Sequence, residues 1–399
     1  MVSVDEASRL IQEHLFRPGI EKVKIDEAEA RVLAESVKAD RDFPPFDRVA
    51  MDGIAINFQA VEEGWEGFRV EGLQQAGQSR LTLKDDKNCI EVMTGAMLPI
   101  GTDTVVRYED VTVVNDMAKL KVKPTARGVN VHHRAQDAKR GDVILLPGTV
   151  LSPGETALLA SVGWLECTVY GYPRTAIVST GNELVDIHDR PLPHQIRRSN
   201  IYALKSALHT LGCVADLHHL PDDQNKMERD LEKFLRKYDV IVLSGGVSKG
   251  KFDFVPAALK ALGVKTVFHQ VSQKPGKPMF FGTTEKQLIF GLPGNPVSSF
   301  VCFYRYIRPW LLKNMGIVPD PEFGVLAAPI DLKNPDLAHF LQVKLKNENG
   351  RRMAYPVPGG GSGDFANLRE VDAFLEIPQG HGPCSAEQVF PLIPFRTMI

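Results

Sequence analysis

The sequence predicts a multidomain chain of the α/β plus β class. It comprises a central doubly wound parallel-type α/β sheet domain, a β module inserted near the N-terminus and a small C-terminal β-barrel-like domain. Three observations lead there. From Arg174 to Met315, apolar strand-like runs alternate with helical runs, the pattern of a parallel sheet covered on both faces. Between about residues 47 and 150, and again after Pro319, the signals shorten to β-like runs punctuated by glycine and proline. The length of 399 residues suits two to four domains at roughly 100–200 residues each.

Taken in order, residues 3–15 predict a helix, with Ser3 and Glu6 as a capping box and Val4, Ala7, Leu10 and Ile11 on one face. Residues 25–39 predict a second helix capped by Asp26 and ended by Phe43-Pro44-Pro45-Phe46, since proline cannot continue a helix. Residues 111–114 and 120–122 flank Asn115-Asp116, a hairpin signal. Ser152-Pro153-Gly154-Glu155 opens a short helix that Gly163 stops. In the central stretch, strands are expected at 175–179, 214–217, 239–244, 264–270 and 287–292. Helices are expected at about 199–211, 221–238, 254–262 and 296–315. Beyond Pro319 come strands at 340–346, 354–357, 373–377 and 389–392, with Asn349-Gly350 as a hairpin turn. The expected domains are 1–43 with 138–172 (helical and linking), 44–137 (β-rich), 173–318 (α/β) and 319–399 (β).

Composition narrows the function. The formal net charge is −2, from 47 basic and 49 acidic residues, which argues against a general nucleic-acid footprint. No apolar run is long enough to span a bilayer, and Met1 to Leu15 carries no signal core, so no membrane partner is expected. Cys89, Cys167, Cys213, Cys302 and Cys384 lie far apart without a CxxC pair, which points to a reducing, cytoplasmic compartment rather than a disulfide framework.

Three loops follow expected buried strands: Ser179-Thr180-Gly181-Asn182-Glu183, Ser244-Gly245-Gly246-Val247-Ser248-Lys249-Gly250, and Pro293-Gly294-Asn295-Pro296-Val297-Ser298. One glycine loop alone is an ordinary tight turn. Three after strands of one doubly wound sheet line one crevice, where ligands bind and helix starts favour anions. Lys274-Pro275-Gly276-Lys277-Pro278 sets two ammonium groups on a stiff turn, suited to an oxyanion or equally to solvent. Glu183, Asp222, Asp223 and Asp253 gather in the same stretch; they are candidates for a divalent cation beside phosphate, or, for the aspartates, plain helix caps. His132-His133 and His218-His219 are poor metal pairs, because strand neighbours face opposite ways.

Read together, PPFDRVAMDGIAI (44–56), VMTGAMLPIGTDTVV (92–106), GVNVHHRAQDAKRGDVIL (128–145), IVSTGNEL (177–184), SGGVSKGKFDF (244–254), KPGKP (274–278) and GLPGNPVSSF (291–300) resemble the molybdopterin molybdenumtransferase family, MoeA in bacteria, with the gephyrin E domain as an animal relative. The resemblance implies a homodimer of four-domain subunits, with the β module of one subunit facing the α/β cleft of the other. It implies adenylylated molybdopterin and molybdate as substrates, release of AMP, and a divalent cation such as Mg2+, with Glu183 and Asp253 as its candidate ligands. Functional positions carried over from it are Asp52, Thr94, Asp137, Glu183, Asp223, Asp253, Lys274 and Lys277. Binding positions, from the loops and from the resemblance together, are Ser179, Thr180, Gly181, Ser244, Gly245, Gly246, Ser248, Pro278, Gly294, Asn295, Pro296, Ser298 and Ser362. A transient contact with a molybdopterin adenylyltransferase is also implied. The chain departs from the family pattern at Val49, often serine, Gln270, often lysine, and Gln342, often arginine; Lys344 is a candidate substitute for the last. A molybdopterin adenylyltransferase, a tungstate-using paralogue and a non-catalytic scaffold are the competing readings.

Overall fold

The computed structural model describes residues 1–16, 19–247 and 254–396, which form two compact units. One holds residues 1–22, 30–34 and 168–399, the other 23–29 and 35–167.

Helix α1 (Val4–Gln12) forms as expected, with Ser3 Oγ accepting from Glu6 N at 3.1 Å and Val4, Ala7 and Ile11 buried. The helix expected over 25–39 does not form. A 3-10 turn, Ile25–Glu27, is all that remains, and Ala30 takes a left-handed φ of 61°. Leu33 instead bridges Val169, and Val37–Lys38 pairs with Val143–Leu145. Val32, Leu33 and Val37 are at most 1% exposed. Strand pairing buries these residues against distant chain, and that tertiary gain outweighs a local helix propensity of tenths of a kcal/mol per residue.

The second unit is built on strands β1 (Gly53–Ile56), β2 (Gly67–Gln74), β3 (Asn88–Val92), β4 (Thr104–Arg107), β5 (Val111–Val114) and β6 (Met117–Leu120). They run in the order β4-β1-β3-β2-β6-β5, antiparallel except β2 with β3. Strand alternation gives two apolar faces: Ile54, Ile56 and Phe68 on one, Ala55, Ile90 and Val105 on the other. The expected hairpin is present, with Asn115 and Asp116 at φ 50° and 59° joining β5 to β6 directly. The capping box of Ser152 and Glu155 starts α2 (Pro153–Ser161).

The first unit carries β7 (Thr175–Thr180), α3 (Ser199–His209), β8 (Ala215–Leu220), α4 (Gln224–Lys237), β9 (Val240–Ser244), α5 (Val255–Ala261), β10 (Lys265–His269), β11 (Phe280–Thr283) and β12 (Leu288–Leu292). The sheet order is β8-β7-β9-β12-β11-β10. Ile177, Val242 and Phe290 face α1, α3 and the helices after β12, while Val178, Ile241 and Ile289 face α4 and α5. The double winding therefore stands, but the sheet is mixed. The four strands from β8 to β12 are parallel; β11 and β10 are antiparallel additions. β11 has no counterpart in the sequence reading. Only four residues join it to β12, too few for the crossover that a parallel pair requires.

The long helix expected after β12 is interrupted: α6 (Pro296–Cys302), a π turn over Phe303–Ile307, then α7 (Arg308–Asn314). Pro309 cannot donate to Arg305, and Arg308 N reaches back five residues to the Phe303 carbonyl. The chain ends in β13 (Glu322–Leu326), β14 (Ala338–Glu348), β15 (Arg351–Pro356), β16 (Ala373–Ile377) and β17 (Val389–Pro394). These close into a five-stranded barrel through the β14–β16 pairing. Among the described residues no helix is long and apolar enough to cross a membrane.

Arg305, on the π turn, ties three elements together. Its guanidinium donates to Glu376 of β16 from Nε at 2.6 Å and Nη2 at 3.1 Å, and to Ser8 Oγ of α1 at 2.8 Å. Arg305→Ala strands the Glu376 carboxylate, whose side chain is only 12% exposed. The expected loss is about 3 kcal/mol of unfolding free energy, read from the urea midpoint at constant m-value.

Candidate active site

The carboxyl ends of β7, β9 and β12 open onto one cleft of about 650 Å³. Ser179, Thr180, Gly181 and Glu183 line it from the first loop, Ser244, Gly245 and Gly246 from the second, and Gly294, Asn295 and Pro296 from the third; Pro278 adds the border of the lysine turn. Backbone shape explains the glycines. Gly245 and Gly246 sit at φ 97° and 70°, and a Cβ on either would lie 2.9 Å from Thr180 Oγ1.

Side chains lock the loops together. Asn200, in the first turn of α3, donates Nδ2 to Ser244 Oγ at 3.0 Å and to the Gly294 carbonyl at 2.8 Å. Asn295 Nδ2 donates to Ser362 Oγ at 2.8 Å, and Val297 N to the Ser362 carbonyl at 3.1 Å, so the loop before β16 joins the start of α6. Asn182 and Asp222 exchange two backbone-to-side-chain bonds of 3.1 Å. The Glu183 carboxylate lies over Gly181, at φ 133°, where a Cβ would collide with it.

The adjacent acids divide. Asp222 lines the cleft, whereas Asp223 caps α4 by accepting from Lys226 N at 2.8 Å. Ser298 is buried in α6, 3% exposed, and does not line the cleft. Lys274 and Lys277 are exposed beside it on a rigid turn. Gly276 has φ 96°, and a Cβ there would come within 2.5 Å of Gln273 Nε2. Gln273, fully buried, donates to the Pro275 carbonyl at 3.2 Å and accepts from the Tyr306 hydroxyl. Ser248 and Asp253 fall outside the described residues.

In the other unit, Asp52 Oδ1 accepts from Thr94 N at 2.6 Å and Thr94 Oγ1 at 2.7 Å, which lowers its pKa, the amide contributing most. Asp137 bonds His132 Nε2 at 2.9 Å, and His133 reaches Asp47 at 3.4 Å. His218 and His219 also part: one meets the Tyr238 hydroxyl at 2.8 Å, the other Ser179 Oγ at 3.0 Å. Gln342 accepts from Asn367 Nδ2 at 3.2 Å, and Lys344 stands 3.8 Å from Glu370.

Sequence reasoning missed Asn200, Arg197 and Arg198, all of which line the cleft. The available signal was a pair of arginines directly ahead of an expected helix start. Among the described residues no cluster of three or more His, Cys, Asp or Glu side chains is arranged for a metal ion.

Comparison with known proteins gives concordant matches. Residues 2–163 match the MoeA N-terminal region (domains I and II), 176–313 a probable molybdopterin binding domain, and 325–395 the MoeA C-terminal region (domain IV). The chain is 40% identical to the molybdopterin molybdenumtransferase of Synechocystis, over 98% of this chain and 99% of that one. It is 32% identical to that of Haemophilus influenzae, over 100% of both. A solved structure of the molybdopterin biosynthesis MoeA protein from Pyrococcus horikoshii superposes with a TM-score of 0.83 at 28% identity, covering 99% of this chain and 100% of that one.

The Asp52–Thr94 pair has a measurable signature. Thr94→Val removes the hydroxyl donor, so the Asp52 titration followed by NMR moves up toward the ordinary carboxylate value. Because the folded pKa is depressed, the pair's stabilising effect is present at neutral pH and fades as pH falls through that value. An unmoved titration rules out the hydroxyl's part.

Proposed function

The chain belongs to the MoeA family of molybdopterin molybdenumtransferases, and from that premise we propose that it inserts molybdenum into adenylylated molybdopterin with release of AMP. It is an enzyme of molybdenum-cofactor biosynthesis. The observation that carries the finer reading is the convergence of three strand-end loops, joined by Asn200, on one cleft. Such a cleft takes a nucleotide-bearing ligand at the switch edge of a doubly wound sheet.

The chemistry follows from the side chains. Molybdate is a dianion, and Lys274 and Lys277 offer it two ammonium groups on a turn that Gly276 and Gln273 hold stiff. Pro278, next to Lys277, lines the cleft, so the oxyanion is presented at its border. There the two dithiolene thiols of the pterin form Mo–S bonds as one oxide ligand of the molybdate leaves as water with the two thiol protons, the molybdenum keeping its oxidation state. Glu183 is placed to orient the water that splits the phosphoanhydride; AMP leaves and the pterin keeps its phosphate. Asp52, Thr94, Asp137 and Asp223 retain roles in this proposal as residues around the substrates rather than as cleft lining. Glu183 and Asp222, both carboxylates on the cleft, would hold a magnesium ion, which would supply neutralisation of phosphate charge. Asp253, the second ligand expected from sequence, is outside the described residues.

The proposal extends to a cytoplasmic homodimer, the β module of one protomer set against the α/β cleft of its partner, supplied by a molybdopterin adenylyltransferase. Five free, buried cysteines accord with a reducing compartment. Retention of the four-domain division, 1–43 with 138–172, 44–137, 173–318 and 319–399, belongs to the same reading.

The test is AMP release from adenylylated molybdopterin, with and without molybdate. Release that depends on molybdate is the expected result; AMP formation from ATP and free molybdopterin instead would identify an adenylyltransferase. A tungstate arm settles metal preference. Glu183→Gln is expected to abolish turnover with the fold intact, and near-wild-type rates would remove it from the mechanism. Lys277→Ala is expected to raise the half-saturating molybdate concentration about tenfold, one charge-assisted contact being lost.

A further inference from the structure

The cleft loop that follows β9 is held at two points. At its start, Gly245 N donates to the Leu292 carbonyl at 3.0 Å, and Ser244 Oγ accepts from Asn200. Beyond Gly246 the chain lies down across β12 and β11. Gly291 of β12 permits the approach, since a Cβ there would meet Val247 Cγ1 at 2.6 Å. Val247 lines the cleft and packs with Phe280 and Ile289 beneath it. Its carbonyl accepts from Nε2 of His269, the last residue of β10, at 2.7 Å. Among the described residues no other donor reaches that carbonyl.

His269 also stands at the base of the lysine turn. Gln270 follows it at φ 86° and donates its N–H to the Met279 carbonyl at 2.8 Å, while Val271 N donates to the Lys277 carbonyl at 2.9 Å. These two bonds close the loop that carries Lys274 and Lys277. The His269 ring is set edge-on to Phe280, its partner across β11, with centroids 5.7 Å apart and planes at 77°. Packing therefore aims the ring, and the hydrogen bond completes the placement. A carbonyl offers only lone pairs, so Nε2 carries a proton; it can do so in the neutral ring as in the charged one. One side chain thus joins the lysine turn to the cleft loop, and its bond does not depend on protonation state.

We propose that His269 is a positioning residue for molybdenum insertion, a strut from the base of the lysine turn to the Val247 carbonyl that sets the spacing between the oxyanion and the pterin nucleotide. The inference rests on the function proposed above, with molybdate on the lysines and the nucleotide in the cleft. His269 does not line the cleft and transfers no proton. Each substrate is held by its own element, so each still binds when the strut is lost. Reaction needs both in register, with reacting atoms about 3–3.5 Å apart, and an error of about 1 Å can cost 10²-fold in rate. Losing the strut lowers turnover and spares binding.

The experiment measures molybdate-dependent AMP release by the full chain, together with calorimetric binding of adenylylated molybdopterin in the absence of molybdate. His269→Phe keeps a ring against Phe280 and removes the donor. It is expected to lower kcat about tenfold while the half-saturating molybdate concentration, the pterin-nucleotide affinity and the melting temperature stay at wild-type values. His269→Gln places an amide N–H at similar reach and is expected to restore most of kcat, with the pH–rate profile of wild type. Wild-type kcat in His269→Phe overturns the strut, and so does a His269→Gln variant as slow as His269→Phe. Lost pterin-nucleotide binding in His269→Phe also overturns it, because the residue would then merely shape the cleft. A limb missing from the His269→Gln pH profile would mean proton transfer by the ring, again contrary to the proposal. If wild type itself releases no AMP with molybdate, the function proposed above fails and the strut with it; an active wild type matched by His269→Phe sinks the strut alone.

Discussion

One side-chain amide holds the cleft in shape. Asn200 Nδ2 is shared between the Ser244 hydroxyl and the Gly294 carbonyl, and so pins the ends of β9 and β12 to the start of α3. The loops themselves cannot supply this rigidity. Their glycines were admitted because backbone must pass within touching distance of Thr180, and glycine costs conformational entropy on folding. A cross-link from a helix, anchored by Ile201, Leu204 and Leu208 in the core, restores order at the rim.

The same logic governs the lysine turn. Lys274 and Lys277 are exposed, so their charges are inexpensive to maintain, but exposed lysines wander. Beneath them Gln273, buried and bonded to the Pro275 carbonyl and to Tyr306, fixes the backbone from which they project. Tyr306 lies on the π turn whose neighbour Arg305 binds Glu376 of the barrel. The break in the helix caused by Pro309 thus has structural use: it sets Tyr306 toward the turn and Arg305 toward β16 within one short segment.

The cleft and the lysine turn adjoin, with Pro278 bordering the first and ending the second. Carboxylates stand in both units: Glu183 and Asp222 on the cleft, and Asp52 held low by Thr94 in the β module. An anion site that also holds acids selects by donor direction and by a shared cation, and gains little from bulk charge. That agrees with a chain whose net charge is only −2.

Much of this was legible in the residues. Alternation and periodicity located five of the six strands of the central sheet, the hairpins at Asn115-Asp116 and Asn349-Gly350, and α2 with its capping box, because those signals are local. The three glycine loops were readable as a crevice because strand ends of one sheet share an edge. What local signals could not decide was competition. The 25–39 segment looks helical until Leu33 and Val37 find strands far away in sequence. Asp222 and Asp223 are chemically identical neighbours, and only the start of α4 settles which one caps and which one faces the cleft. Asn200 was invisible for the same reason: its role consists of contacts to residues 44 and 94 positions away, which no window of sequence spells out. The sequence determined which chemistry the chain carries, glycine turns, lysines and carboxylates. Tertiary packing decided which of those groups meet, because burial and long-range hydrogen bonds outweigh local preference.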